Sequence, residues 1–210
     1  MAGGSNQSRR DAIAIGASTG GPTALRLVLR TLCPQLRGTE SIFITQHMDP
    51  RLLEPMRTSL QEVSSQFEVF LAEDRMPISK RAIFIAPADR HLTVQASTRT
   101  SPPSIRLSAA PPVQSCRPAV DPMFQSLASF YRQQLIAVVL TGMGCDGLDG
   151  ARDVKKHGGT LIVQDEATST VWGMPKVCFE AGLADEVLPI SHIARTIASM
   201  ANPLLQHQSN

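Results

Sequence analysis

Three residues of this chain have the types and settings that acyl transfer requires. Ser18 sits in Gly16-Ala17-Ser18-Thr19-Gly20-Gly21, which follows the apolar run Ala12 to Ile15 without a gap and leads into a helical pattern. A serine between glycines, where a strand turns into a helix, displays its hydroxyl at the rim of an α/β sheet. Glycine suits such a turn because a Cβ would obstruct the backbone angles and a bulky neighbour would block the approach to Oγ. Ser18 is therefore the nucleophile candidate. The same stretch fits two other readings: a Gly-rich loop that cradles a phosphate at the helix N-terminus, and a tight turn whose serine is buried against backbone groups.

A serine hydroxyl needs a base to take its proton. A histidine, with a reference pKa of about 6.5, serves at neutral pH when a carboxylate fixes its tautomer. His47 follows the run Ser41 to Gln46, and Asp146 lies in Gly142-Met143-Gly144-Cys145-Asp146-Gly147, directly after Leu135 to Thr141. Ligands of an open parallel sheet bind beyond the carboxyl ends of its strands. Ser18, His47 and Asp146 are thus expected to meet at one sheet edge as nucleophile, base and carboxylate. Gly142, Gly144 and Gly147 would let backbone N–H groups face a developing oxyanion, a contribution of about 2.7 to 4 kcal/mol per donor. Plainer roles compete: a lone histidine is commonly a surface or core residue, and an aspartate in a Gly-rich turn is by default an Asx-turn or a helix cap. Cys145 has no obvious base beside it and reads as a small packing residue. His91, in Pro87-Ala88-Asp89-Arg90-His91, is a second base candidate, placed before a hairpin rather than after a core strand.

The elements that must position these residues follow from hydrophobic patterning. Runs rich in Ile and Val alternate with longer stretches of helical period, the pattern of a parallel sheet covered on both faces. Strands are expected at Ala12 to Gly16, Ser41 to Gln46, Glu68 to Ala72, Ala82 to Ile85, Leu135 to Thr141, Thr160 to Gln164 and Glu186 to Pro189. Helices are expected at Thr23 to Leu32 behind Pro22, at Val120 to Gln133 with Asp121 as cap, at Leu148 to His157 before Gly158, and at His192 to Met200 capped by Ser191. Two alternating runs, His91 to Ala96 and Ser104 to Leu107, flank Ser101-Pro102-Pro103 and read as a hairpin. The fold class is therefore doubly wound α/β, with a mainly parallel seven-stranded sheet, helices on both faces and an antiparallel β-hairpin. One catalytic domain at 12–201 is expected, between polar tails at 1–11 and 202–210.

Composition excludes several classes of function. A chain of 210 residues buries roughly 70% of its unfolded surface and needs no staple. Cys33, Cys116, Cys145 and Cys178 are scattered, with no C-x-x-C pair, so neither a metal site nor a disulfide framework is expected. No apolar run approaches the ~18 residues that would span a bilayer, and the polar start does not read as a signal peptide. A soluble, cytoplasmic protein without membrane insertion is expected. The net charge is +2 and the few aromatics are not interleaved with basic residues, so no nucleic-acid partner is indicated.

With its motifs laid out, the chain resembles the catalytic domain of the bacterial chemotaxis protein-glutamate methylesterase family, CheB. The matching pieces run nearly end to end: Ile15 to Gly21, Thr45-Gln46-His47-Met48, Ile85-Ala86-Pro87, Arg117-Pro118-Ala119-Val120-Asp121, Leu140 to Gly147, and Gly173-Met174-Pro175. The resemblance implies the same roles for Ser18, His47 and Asp146, and it places Thr19 and the Met143 backbone N–H near the oxyanion. It implies hydrolysis of glutamyl methyl esters on methyl-accepting chemotaxis receptors, releasing methanol, with glutamine deamidation as a second activity and no cofactor. The target is a side chain on a folded helical bundle, so a shallow, open cleft is expected.

Three features depart from the family pattern. Members typically carry an N-terminal phosphoacceptor receiver domain, whereas only about ten polar residues precede the first strand here, so a chain active without phosphorylation is expected. Lys80 stands before the fourth strand where the family usually turns on glycine, and Trp172 precedes Gly173 where a smaller aromatic is common; both are expected to reshape the rim. A nucleotide-binding module is the binding alternative, weakened because Gln46 and His47 stand where an acidic residue would take the ribose. A catalytically inactive chemotaxis adaptor of the same fold is the interaction alternative, and it leaves the three candidate residues unexplained.

Overall fold

Along each central strand the apolar side chains divide between two faces, and both faces are buried. Ile13 and Ile15 of β1 (Ala12–Ala17) join one core, while Ala12 and Ala14 join the other. In β2 (Ser41–Gln46) Ile42 and Ile44 oppose Phe43, and the division recurs in β4 (Ala82–Ile85), β7 (Leu135–Val139) and β8 (Thr160–Gln164). A strand that is apolar on both faces must be sandwiched by helices, the usual setting for parallel pairing. With β3 (Glu68–Leu71) and β9 (Glu186–Leu188) these strands form a seven-stranded sheet in the order β3-β4-β2-β1-β7-β8-β9. Every pairing in it is parallel. The structure is a computed structural model that describes residues 10–96 and 102–202. The expected tails fall outside the described residues except at 10, 11 and 202, and so does Ser101 of the expected hairpin turn.

One face is covered by α1 (Gly21–Leu32), α2 (Leu53–Val63) and α6 (Ile190–Ala201). In α1 the buried Ala24, Leu25, Val28, Leu29 and Leu32 recur at helical spacing, and each fully buried leucine contributes about 1.5–3 kcal/mol. The other face carries α3 (Val120–Tyr131), α4 (Leu148–Lys156) and α5 (Met174–Glu180). Beside them lies an antiparallel pair, β5 (His91–Gln95) and β6 (Ser104–Ser108). Its Leu92, Val94 and Ile105 join the same core as Phe124 and Leu127 of α3.

The expected strands are all present, with ends moved by one or two residues; β1 runs on to Ala17, and β7 stops at Val139. The two helix caps are corrected. Ser191 lies inside α6, whose N-cap is Pro189. Asp121 lies inside the first turn of α3, whose N-cap is Ala119, and its carboxylate serves a different helix. Lys80 is corrected as well. It precedes β4 and so stands at the edge of the parallel sheet opposite the carboxyl ends, away from the rim it was expected to reshape.

Candidate active site

Ser18 follows β1, His47 follows β2, and Asp146 lies in the turn from β7 to α4; in the sheet β1 lies between β2 and β7. Parallel neighbours end at the same edge, so the three residues leave the sheet on one side. The Ser18 N–H donates to Thr141 O at 3.0 Å, and the His47 N–H donates to Ala17 O at 3.1 Å. Gln46 Nε2 donates to both Ser18 O and His47 O at 2.8 Å, so one side chain ties the nucleophile loop to the base loop. Gly20, in the left-handed region at φ 81, turns the chain into α1 as the Gly-rich motif requires.

His47 Nε2 lies 2.7 Å from Asp146 Oδ2, and the two side chains are 14% and 3% exposed. Asp146 Oδ2 also accepts from Val120 N at 2.6 Å, and Oδ1 accepts from Asp121 N at 3.0 Å. Asp146 therefore caps the N-terminus of α3 and orients His47 with the same carboxylate. Three donors and the positive end of a helix hold it in one orientation. With Nε2–H given to Asp146, Nδ1 is the nitrogen free to act as base.

Ser18 and His47 meet at one edge, as expected, without touching: among the described residues no hydrogen bond joins Ser18 Oγ to the ring. Nδ1 instead faces Cys116 Sγ at 3.7 Å. Burial raises the Cys116 thiol above its ordinary range, with Asp146 and Cys145 adding to the effect, so sulfur meets the imidazole as a neutral S–H donor. Catalytic hydrogen bonds are often loose without substrate and tighten when it binds. The structure thus brings His47 and Asp146 into contact and sets Ser18 on the adjoining strand end.

Thr19 is exposed and Met143 is 74% exposed. Among the described residues neither of their backbone N–H groups donates to a protein acceptor, which leaves both available to an oxyanion. Thr141 knits the rim: its Oγ1 donates to Thr19 O at 2.9 Å and accepts from Val171 N at 3.0 Å. Trp172 does belong to this rim, through its bridge to Gly142. His91 is no base here. It is 1% exposed, Nδ1 accepts from Ala119 N at 3.1 Å, and Nε2 lies 3.1 Å from Pro111 O, so both ring nitrogens hold backbone. The sequence reading missed Cys116, Thr141 and Gln46 as site residues and misassigned Asp121. The motif Arg117 to Asp121 flagged the right segment without assigning any of its residues to the site. Among the described residues no group of three His, Cys, Asp or Glu side chains could hold a metal ion, and no helix is long and apolar enough to cross a membrane.

A family model described as CheB methylesterase matches residues 13–197. The protein-glutamate methylesterase/protein-glutamine glutaminase 2 of Caulobacter vibrioides is 44% identical over 191 residues, 91% of this chain and 54% of that one. A homologue of the same description from Paramagnetospirillum magneticum is 44% identical over 193 residues, covering 91% of this chain and 49% of its own. This chain therefore spans about half the length of the relatives it matches. The crystal structure of the Thermotoga maritima CheB methylesterase catalytic domain matches at a TM-score of 0.85 and 35% identity, covering 92% of this chain and 100% of that one.

Proposed function

The chain belongs to the CheB methylesterase family, and from that premise we propose that it is a serine hydrolase acting on glutamyl methyl esters of methyl-accepting chemotaxis receptors. The observation that carries the reading is the His47–Asp146 contact of 2.7 Å at the strand end beside Ser18. In the reaction Ser18 Oγ attacks the ester carbonyl while His47 Nδ1 takes its proton. The resulting imidazolium keeps its Nε2–H on the buried Asp146 carboxylate, which compensates the new charge. The oxyanion is received by the Thr19 and Met143 N–H groups. Collapse breaks the bond to the methoxy oxygen, and Nδ1 returns its proton there, releasing methanol. Water attacks the acyl-enzyme with Nδ1 again as base, leaving glutamate and free Ser18.

Ser18 Oγ and Nδ1 must close on one another during the first step, displacing the Cys116 thiol from the base nitrogen. No metal or cofactor enters this sequence. The relatives are named as glutaminases too, and the same residues would release ammonia from a glutamine amide in place of methanol. Residues 12–201 form the catalytic domain on this reading, 1–11 and 202–210 are tails outside it, and the reaction belongs in the cytoplasm. The test is methanol release from membranes bearing methylated receptors. The esterase reading expects release well above the spontaneous rate, together with new receptor carboxylates. An inactive adaptor would leave the spontaneous rate unchanged.

A further inference from the structure

Two buried carboxylates stand behind His47, and only one of them touches it. Asp121 and Asp146 are each 2% exposed. Burial is the main reason that the Asp121 carboxyl is pushed up to about 6, and the neighbouring charges of Asp146 and Asp149 raise it further. A neutral asparagine would offer the same Oδ1 without that cost. The second carboxylate must therefore be judged by what it holds.

Asp121 Oδ1 accepts from Gly147 N at 3.0 Å and from Gly150 N at 2.7 Å, so it caps the N-terminus of α4. Asp146, the residue before Gly147, accepts from the Val120 and Asp121 N–H groups and so caps the N-terminus of α3. Each aspartate caps the other's helix, and the hydrogen bonds close a ring through the backbone between Asp146 and Gly147. That ring adds to a turn whose own closure is Leu148 N donating to Cys145 O at 3.2 Å, with Gly144 and Gly147 in the left-handed region at φ of 91 and 99. The helices are close enough for the ring to form because position 150 is glycine. A Cβ there would lie 2.6 Å from Phe124 Cβ and 3.0 Å from Asp121 O.

Resting on the esterase reading for its consequence in catalysis, we infer that Asp121 is a positioning residue: it fixes the Gly144–Gly147 turn so that the Asp146 carboxylate stays on His47 Nε2. Asp121 never meets substrate, and its effect passes entirely through Asp146.

The test compares Asp121→Ala, Asp121→Ser and Asp121→Asn in the full chain by two readouts. The side-chain nitrogen resonances of His47 report whether Nε2 carries the proton and is hydrogen-bonded, and steady-state ester hydrolysis separates kcat from KM. Asparagine keeps an oxygen that can serve both N–H donors, so D121N should retain the wild-type His47 signature and most of kcat. D121A should show mixed His47 tautomers and a kcat lower by about 10²-fold at nearly unchanged KM, the size expected when a reacting group is misplaced by about an ångström. Serine Oγ, one bond nearer the backbone than the Asp121 Oδ1 that serves both Gly147 N and Gly150 N, falls short of holding both donors, so D121S should change in the same direction by less and stands in should D121A fail to fold. Folded D121A or D121S with wild-type His47 resonances and wild-type kcat would overturn the inference. A wild type that releases no methanol would sink the esterase reading, while the His47 resonances would still decide the role of Asp121.

Discussion

His47 can accept a proton only at Nδ1, because Nε2 is committed to Asp146, and Cys116 Sγ stands 3.7 Å from that nitrogen. A group added to this sulfur would fill the space that Ser18 Oγ has to enter. Methylthiolation with a small thiosulfonate, at a pH alkaline enough to ionise the raised thiol, should slow ester hydrolysis more than about tenfold, a barrier increase of over ~1.4 kcal/mol. Cys116→Ala has no thiol to modify and should keep its starting rate under the same treatment. Equal inactivation of both proteins would show that the sensitive group lies elsewhere. The positions of Ser18, His47 and Asp146 at strand exits could be read directly from the sequence, since each follows an apolar run. The partners of Asp146 could not. Val120 and Asp121 lie 26 and 25 positions from it, and no local pattern links residues so far apart. Cys116, 69 positions from His47, was hidden for the same reason.

The crossed caps between α3 and α4 make a prediction about stability. Burial pushes the Asp121 carboxyl of the folded chain up to about 6 from the ordinary aspartate value of 3.8, so folding takes up a proton between those limits. Raised carboxylates follow this sign: the folded state is penalised while the group is charged, and the penalty is relieved as pH falls from about 6 toward 4. The groups facing Asp121 are Asp146 in the turn after β7, Asp149 of α4 and Cys178 of α5. Denaturant unfolding at a series of pH values should show wild type gaining stability relative to Asp121→Asn over that window. A constant difference between the two proteins would contradict the assignment. At this scale the sequence was read well where periodicity decides and poorly where caps decide. Asp121 has the right type for a cap but lies past the N-cap of α3 and serves the neighbouring helix, while its own helix is capped by Asp146 from the turn after β7. Ser191 lies within α6, and Pro189 precedes that helix without a side-chain cap.

For the molecule as a whole, β1 sits centrally between β2 and β7, and the two cores on its faces draw in α1 to α6 and the β5–β6 pair. Runs rich in Ile and Val between stretches of helical period made a doubly covered sheet legible in the sequence, and the division of Ile13 and Ile15 from Ala12 and Ala14 between the two cores agrees with it. Strand order was harder to read, since β5 and β6 interrupt the alternation, pairing with each other and, through Ser104 and Ile105, with the segment before β4 rather than with the large sheet. Among the described residues every member of both cores lies within 12–201, so that segment alone should fold cooperatively and hydrolyse esters at the rate of the full chain; a truncated chain that melts without cooperativity would refute the proposed boundary. The central claim is that Ser18 is the nucleophile served by His47 and Asp146. It is tested most directly by methanol release from methylated receptors by Ser18→Ala, with circular dichroism confirming the fold. Loss of the nucleophile in serine hydrolases reaches about 10⁶ in turnover, roughly 8 kcal/mol of barrier, and a loss approaching that size is expected here. A folded Ser18→Ala protein that kept more than about a tenth of wild-type activity, a change of under ~1.4 kcal/mol, would contradict the account.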